Sequence, residues 1–485
     1  MALGFLLVTF DLTMLFNSSA FLIFLPIVFS LYWSVRHEWR WIVLLAASYY
    51  FYFSYNPWFC LLLFGTTGID YFAARKITSS TQQNYRKAWL LLSVFSNIGV
   101  LVVFKYSVFL INTGINISNA LGNTQFNLLN QLIIPAGLSF YTFQSLSYTI
   151  DVYRNKYKAQ DNFGFFSLYV SFFPHMVAGP VVRYNDLMPQ FYEQHKFQTV
   201  QWALATRLCI WGFFKKIVIA DRLNEIVTPI FNHVDIYSGS TLLLTGFLFV
   251  VQVYCDFSGY SDIATGIAKY FGIHLSLNWR RPLLSKSLIE FWQRNHISIT
   301  TWFRDYVYIS LGGNRCSYKR WLFNIFLVFL ISGLWHGANW TFIIWGAMHG
   351  LFYVIELINS KTKKPFHAPK FIGWIYLLFF HTITLIAFRA LNIHDLGTIY
   401  YRIINDFNGS QLIPELKTVS DIFPLIIALS LIVFLFVKEL NEEYAFINRL
   451  KQYNTIIRPA FYIALFLVIF LLGMFNANEF IYFQF

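Results

Sequence analysis

The chain has 485 residues, of which 57% are hydrophobic and only 12% are charged. A soluble protein would carry about 25% charged residues, and one or two globular cores could not hide this much apolar surface from water. The composition therefore excludes a soluble globular protein and predicts an all-α polytopic membrane protein. The net charge of +13 is explained by basic cytoplasmic loops, so we expect no nucleic-acid partner.

Apolar runs predict about 11 to 13 membrane spans, since some runs are too short to cross a bilayer alone. Loops 75–87 and 358–370 are rich in Lys and Arg, whereas loops 113–126 and 223–239 contain neither. Because basic loops stay in the cytoplasm, the N-terminus is predicted to be extracytoplasmic and the first span to be retained. The predicted spans are 17–35, 41–55, 56–74, 88–112, 127–150, 203–221, 240–257, 321–340, 341–357, 371–390, 422–437 and 459–475.

Two segments do not fit simple spans. Residues 164–202 contain Pro174, Gly179 and Pro180, which interrupt helices, and irregular backbone at membrane depth must be buried in protein or line a cavity. Segment 274–320 is the largest basic stretch. No repeat or soluble domain is visible, so residues 1–485 are expected to form one membrane domain with re-entrant or interfacial helices. The four cysteines lack the spacing of a disulfide framework or metal site.

The stretch "FWQRNHISITTWFRDYVYISLGGN", 291–314, has apolar residues at helical spacing and is predicted to form one amphipathic helix. His296, Thr300 and Arg304 are four residues apart, so they share one face of that helix and can line one cavity. An interfacial helix whose arginines extend to water is the structural alternative, and taken alone the pattern favours it.

A second histidine, His336, lies in the apolar stretch "NIFLVFLISGLWHGANWTFIIWGAMHG", 324–350. Ser332 lies one helical turn earlier and can face the same side. Ionisable residues within membrane spans usually face an interior or a water-filled cavity, and histidine is the natural general base near neutral pH. A histidine that only packs helices together is an equal alternative here. That structural role is favoured for His175, His349 and His381.

Together these histidine segments resemble the membrane-bound O-acyltransferase family, in which one histidine lies in "FWQRNHISITTWFRDYVYISLGGN" and the other in "SGLWHGANW". Within it the chain is most similar to the branch containing the membrane subunit of alginate O-acetylation systems. Further stretches that carry the resemblance are "IPAGLSFYTFQSLSYTIDVYR", "FFPHMVAGPVVRYNDLMPQ", "FFKKIVIADRLN", "YCDFSGYSDIATGIAKYFGI" and "NEFIYFQF". They run in order from about residue 40 to the end of the chain.

The resemblance implies tilted helices around a central tunnel that is open to both faces, and acyl transfer from a thioester to a hydroxyl. It implies that His336 is the general base and that His296 orients the acyl group or stabilises the oxyanion. The predicted spans place these histidines toward opposite faces, so they meet only if segment 274–310 enters the membrane. The expected substrate-binding residues are Ser332, Arg304, Arg294, Asn295, Trp335 and Asn339.

The same resemblance implies a cytosolic donor, acetyl-CoA or another acyl thioester, with no bound cofactor and no metal. The acceptor would be an exported polysaccharide such as alginate, modified through an extracytoplasmic esterase-like partner of the SGNH kind. The sequence contains no GxSxG motif of its own, which agrees with such a partner. A multi-pass protein of the bacterial cytoplasmic membrane is expected.

Three other functions remain open at this point. Transfer of D-alanyl groups from a carrier protein to teichoic acid would use the same family of enzymes. A polysaccharide transporter would predict inverted repeats or paired broken helices, which the sequence does not show. A scaffold of an export complex would leave both histidines replaceable.

Overall fold

A computed structural model describes residues 14–120, 134–364, 368–407, 419–444 and 454–475. Within these ranges the chain is helical and contains no β-strand. Short π-helical segments interrupt or extend the α-helices at Val102–Tyr106, Phe214–Ala220 and Phe303–Tyr308. The expected all-α fold is therefore confirmed, while the terminal stretch "NEFIYFQF" lies outside the described residues.

The α-helices are numbered in chain order. They are α1 (Ser19–Ser34), α2 (His37–Phe53), α3 (Pro57–Ser79), α4 (Gln83–Leu101), α5 (Ser107–Ala120), α6 (Leu138–Tyr153), α7 (Phe163–Ser171), α8 (Phe173–Met176), α9 (Tyr184–Tyr192), α10 (Trp202–Phe213), α11 (Asp221–Asn232), α12 (Gly239–Tyr270), α13 (Leu288–Arg294), α14 (Ile297–Trp302), α15 (Tyr318–His336), α16 (Trp340–Ser360), α17 (Lys370–Arg389), α18 (Ile393–Asn405), α19 (Val419–Tyr444) and α20 (Asn454–Leu472).

Each predicted span overlaps a helix or consecutive helices in the described part of the chain, while residues 127–133 of the span 127–150 lie outside that part. In the described part of the chain, five helical stretches are long and apolar enough to cross a membrane by length and composition. The remaining apolar helices are shorter, more polar or broken by π-helical segments. The five stretches are Gln83–Asn119, Gly239–Tyr270, Trp340–Ser360, Lys370–Arg389 and Phe423–Tyr444.

Large apolar side chains cover much of the outer surface, and the interior contains many buried polar side chains besides its apolar core. Large aromatic residues such as Phe95 and Phe470 are 70% and 71% exposed, as expected for a surface that contacts lipid. Helix α6, by contrast, buries Ser139, Thr142 and Gln144. Helix α12 is the most enclosed of the long helices and packs against α10, α11, α17 and α18. Polar side chains of a membrane protein are usually kept away from lipid in this way, facing the protein interior or a cavity.

Helices α15 and α16 form a closely packed hairpin, and two glycines allow this approach. A Cβ atom at Gly333 would lie 2.4 Å from the carbonyl oxygen of Phe342, and one at Gly346 would lie 2.5 Å from that of Phe329. Any residue larger than glycine would clash at these two positions. The hairpin fixes the end of α15, where His336 lies.

The prediction of one continuous helix over 291–314 was wrong. Helix α13 ends at Arg294, and His296 adopts a left-handed conformation (φ +45°) before α14 begins. Segment 164–202 was correctly predicted to be irregular: short helices α7, α8 and α9 alternate with extended backbone, and residues 166–182 are buried. Both breaks therefore lie inside protein and not in lipid.

Candidate active site

A cavity of about 600 Å³ lies between α12 and the segments α13 to α17. Its walls are mainly aromatic and aliphatic, with a few convergent polar groups, as in many small-molecule sites. His296, Thr300, Arg304, Ser332 and His336 all line it. The structure thus brings the two predicted histidines into one cavity, because segment 274–310 folds into the protein interior.

His336 is the last residue of α15. Its ring is enclosed by aromatic neighbours, with centroid distances of 4.6 Å to Trp335, 5.0 Å to Trp345 and 5.2 Å to Phe388. The following Gly337 packs under Phe342, since a Cβ at this glycine would lie 1.9 Å from that ring. The imidazole therefore has a fixed position in a largely apolar surrounding.

The end of α15 is held by two residues that the sequence analysis missed. The Lys105 ammonium donates hydrogen bonds to the carbonyl oxygens of Trp335 (2.7 Å) and His336 (2.8 Å), and the Tyr106 hydroxyl donates to that of Leu334 (2.8 Å). The last carbonyls of a helix lack partners within it and carry partial negative charge. A lysine within the apolar run 88–112 was the available sequence signal.

His296 is held by Asn278, which was also missed. Asn278 Oδ1 accepts hydrogen bonds from the Ser298 backbone N–H (3.1 Å) and hydroxyl (2.9 Å). A backbone N–H can only donate, so this Asn278 atom is the amide oxygen. His296 Nδ1 lies 3.3 Å from the same oxygen, so Nδ1 carries the ring proton. The neutral imidazole then has a bare lone pair at Nε2, which is buried and lacks a hydrogen-bond partner in the described residues.

Besides His296 Nε2, four more ring nitrogens around the cavity are buried and make no hydrogen bond with any described residue: Trp292 Nε1, Trp345 Nε1, His349 Nδ1 and His381 Nε2. His349 Nε2 contacts the Thr384 hydroxyl at 3.2 Å, which supports its expected structural role in part. Leaving buried polar atoms unpaired costs about 1–3 kcal/mol each. This wall of the cavity is therefore suited to a polar ligand.

The other predicted binding residues are distributed in and around the cavity. Asn295 lines it, and Arg304 lies at its exposed side with a pair to Asp305 (2.8 Å). Arg294 is ion-paired with Glu290 (2.7 Å) and Glu443 (3.0 Å).

Trp335 lies outside the cavity lining. Its ring packs against that of His336 at 4.6 Å and is in T-shaped contact with the His296 ring at 6.4 Å. Asn339 is placed outside the cavity wall, where it caps α16 and donates to the Leu391 carbonyl (2.8 Å).

Comparisons with a family model and with known proteins agree on one family. The model of the membrane-bound O-acyltransferase family matches residues 160–393. A probable alginate O-acetylase from Pseudomonas aeruginosa is 39% identical over 80% of this chain and 74% of that protein. A peptidoglycan O-acetyltransferase from Helicobacter pylori is 34% identical over 79% and 78%. A teichoic acid D-alanyltransferase from Bacillus subtilis is 28% identical over 49% and 62%.

The family match includes His296 and His336, and the two acetylating relatives each cover about four fifths of the chain, 80% and 79%. The apolar helices agree with a protein that crosses the membrane several times. This multi-pass chain belongs to the membrane-bound O-acyltransferase family and is an O-acyltransferase.

Proposed function

We propose that this enzyme moves an acetyl group from a cytosolic thioester, acetyl-CoA, to a hydroxyl group on the far side of the membrane, for O-acetylation of an exported polysaccharide such as alginate. The observation that carries the proposal is the pair His296 and His336 in one cavity inside the helix bundle. The relatives of higher identity are named as acetylating enzymes of alginate and peptidoglycan.

In the proposed reaction, His336 is the general base. It takes the proton of the acceptor hydroxyl while the hydroxyl oxygen attacks the thioester carbonyl carbon. The C–S bond then breaks, the proton passes to the leaving thiolate, and an ester and a free thiol result. The Ser332 hydroxyl lies one turn before His336 and lines the same cavity, where it can hydrogen-bond the thioester or the base.

His296 orients the donor. Its buried Nε2 lone pair has no hydrogen-bond partner among the described residues and is therefore able to accept one from a bound donor molecule. Thioesters of coenzyme A and of carrier proteins both carry an amide N–H near the sulfur, which is a suitable donor for that lone pair. Held there, the acyl carbon is kept near His336, and such positioning lowers the barrier of a bimolecular reaction.

Arg304 and the neighbouring basic residues of segment 274–320 attract the anionic donor to the cytosolic opening. Arg304 suits this role because its side chain is 61% exposed. Arg294 already binds two carboxylates, so it supports the segment and adds to the positive field. Asn295 lines the cavity beside the donor, and Trp335 supports the His336 ring from outside the cavity lining.

The polysaccharide is reached through a partner. We place the enzyme in the bacterial cytoplasmic membrane, since acetyl-CoA is cytosolic and exported glycans are modified outside. The acetyl group passes to a hydroxyl of an extracytoplasmic SGNH-type protein, which then acetylates the polymer. The extracytoplasmic side of the α15–α16 hairpin, where Asn339 joins the loop at Leu391, is the side that such a partner would meet.

The first experiment compares the O-acetyl content of exported glycans from cells with the wild-type chain, His336→Ala and His296→Ala. We expect both variants to lose most acetylation at normal membrane levels, since each removes one half of the pair. His394→Ala is a matched control, because this histidine is 84% exposed and lies outside the cavity. Unchanged acetylation with both cavity variants would refute the proposal and favour a transporter or scaffold.

D-alanyl transfer is the second candidate, favoured by the 28% identity to the teichoic acid D-alanyltransferase. Membranes that contain the chain can be given labelled acetyl-CoA or a carrier protein loaded with labelled D-alanine. We expect label to reach the glycan from acetyl-CoA. Transfer only from the alanyl carrier would replace the proposed donor and leave the histidine pair in place.

A further inference from the structure

Acyl transfer needs a hydrogen-bond donor at the thioester carbonyl oxygen, which gains negative charge as the acceptor oxygen attacks. Neutral His296 cannot be that donor. Its single ring proton is on Nδ1 and faces Asn278, and the nitrogen toward the cavity has only a lone pair. The sequence-based alternative that His296 stabilises the oxyanion is therefore disfavoured. Another group must donate the hydrogen bond to the oxyanion.

Trp345 has the chemistry that is required. Its side chain lines the cavity and is only 4% exposed. The indole Nε1–H makes no hydrogen bond with any described residue, although an indole nitrogen can only donate. A buried donor without an acceptor is unfavourable by about 1–3 kcal/mol, so a ligand oxygen at this position would restore a bond that the fold leaves open.

Its position relative to the base also fits. The oxyanion forms on the carbon that is attacked by the acceptor oxygen, and that oxygen lies about 3 Å from the basic nitrogen. The donor in turn lies about 3 Å from the oxyanion. The Trp345 ring centre is 5.0 Å from that of His336, nearly perpendicular to it at 84°, which is within the reach of these two contacts. Trp292 contacts Trp345, with ring centres 6.1 Å apart, and its ring has no described contact with that of His336.

We infer that Trp345 is a catalytic residue whose indole N–H stabilises the carbonyl oxygen of the donor during acyl transfer; this assignment rests on the function proposed above. The indole stays in place throughout: it neither gains nor loses a proton. It is held by packing against Phe388 (5.5 Å) and His349 (4.6 Å), so little reorganisation is needed when the charge develops.

The test uses Trp345→Phe, which removes the N–H and keeps an aromatic ring. Thiol release is measured in native membranes with acetyl-CoA and with its dithioacetyl analogue, in which sulfur, a poor hydrogen-bond acceptor, replaces the carbonyl oxygen. We expect kcat for acetyl-CoA to fall about 100-fold with little change in KM, and turnover of the analogue to change much less. The preference for oxygen over sulfur should therefore shrink.

Trp33→Phe is the control, because its indole N–H already donates to the Tyr270 carbonyl at 3.1 Å, away from the cavity. It should keep both the rate and the preference. Equal loss on both substrates with Trp345→Phe would overturn the assignment, as would loss of the preference in Trp335→Phe or Ser332→Ala instead. Failure of the wild-type chain to use either thioester would refute the proposed function itself, and the role of Trp345 with it.

Discussion

At the scale of single residues, the two histidines proposed as catalytic are held in different ways. His336 is fixed through its backbone at a helix end, whereas His296 is fixed through its ring by Asn278. The residue types and their segments were visible in the sequence. Asn278 was not, because its role depends on a hydrogen bond to Ser298, twenty residues away, which only folding establishes.

Asn278 provides the prediction at this scale. Asn278→Leu removes the oxygen that keeps the His296 proton on Nδ1, and it leaves the Ser298 donors without their acceptor. We expect activity to fall about tenfold, equivalent to about 1.4 kcal/mol. Asn278→Asp keeps an oxygen in place and should retain most activity, with the acid limb of the pH–rate profile moved to higher pH because a carboxylate favours the charged imidazole.

The comparison is made on purified protein by measuring rates over a pH series. Ser261→Ala is the control, since the Ser261 hydroxyl accepts a hydrogen bond from the amide nitrogen of Asn278 (3.4 Å) and one from the Trp279 indole (3.1 Å), and it does not contact the amide oxygen. Equal losses in the Leu and Asp variants, with no movement of the pH profile, would contradict a role in setting the tautomer.

At the scale of elements, breaks in helices bring functional groups inward. The π-helical segment Val102–Tyr106 turns two adjacent side chains, Lys105 and Tyr106, toward the end of α15. Such segments often occur at functional sites. The interruption at His296 does the same for the second histidine. Periodicity in the sequence predicts regular helices, so it correctly located the elements and missed both irregularities.

Lys105 provides the prediction here. Lys105→Met keeps the length of the side chain but removes the donors for the Trp335 and His336 carbonyls. Since the end of α15 then loses its support, we expect activity to fall at least about tenfold. Burying an ammonium group is itself costly, and its removal offsets the loss of the two hydrogen bonds, so thermal stability should change little.

Activity and melting temperature are measured together in detergent, with Lys87→Met as the control because that lysine is exposed on the same long helix. A large loss of stability in Lys105→Met with normal activity per folded molecule would show that the lysine is structural.

At the scale of the whole molecule, a largely buried cluster of ion pairs holds several helices together beside the cavity. Lys216 is paired with Asp221 (2.8 Å) and Asp256 (2.7 Å), and Lys215 is paired with Asp262 (2.6 Å). These contacts join the π-helical segment 214–220 to α11 and α12. Glu439 on α19 accepts a hydrogen bond from Tyr254, which lines the cavity. Helix α19 is thus linked to the cavity wall by a hydrogen bond next to the ionic cluster.

Lys216→Met is expected to destabilise the protein strongly. It removes the cation that lies between two buried carboxylates, and breaking a buried ion pair in this way typically costs about 3–5 kcal/mol. The triple variant Lys216→Met, Asp221→Asn, Asp256→Asn also removes both carboxylate charges and should recover much of the stability. Thermal unfolding of purified protein checks both expectations, and equal melting temperatures for the single and triple variants would contradict them.

Composition and apolar periodicity predict the membrane class, the positions of the helices and the two histidine segments, because both act locally along the chain. The shared cavity of the two histidines, the contacts of Lys105 and Asn278 with them, and the place of Trp345 in the cavity wall follow from the tertiary structure alone. These contacts join residues far apart in the chain. They depend on how the helices pack and where they break, which no local pattern encodes.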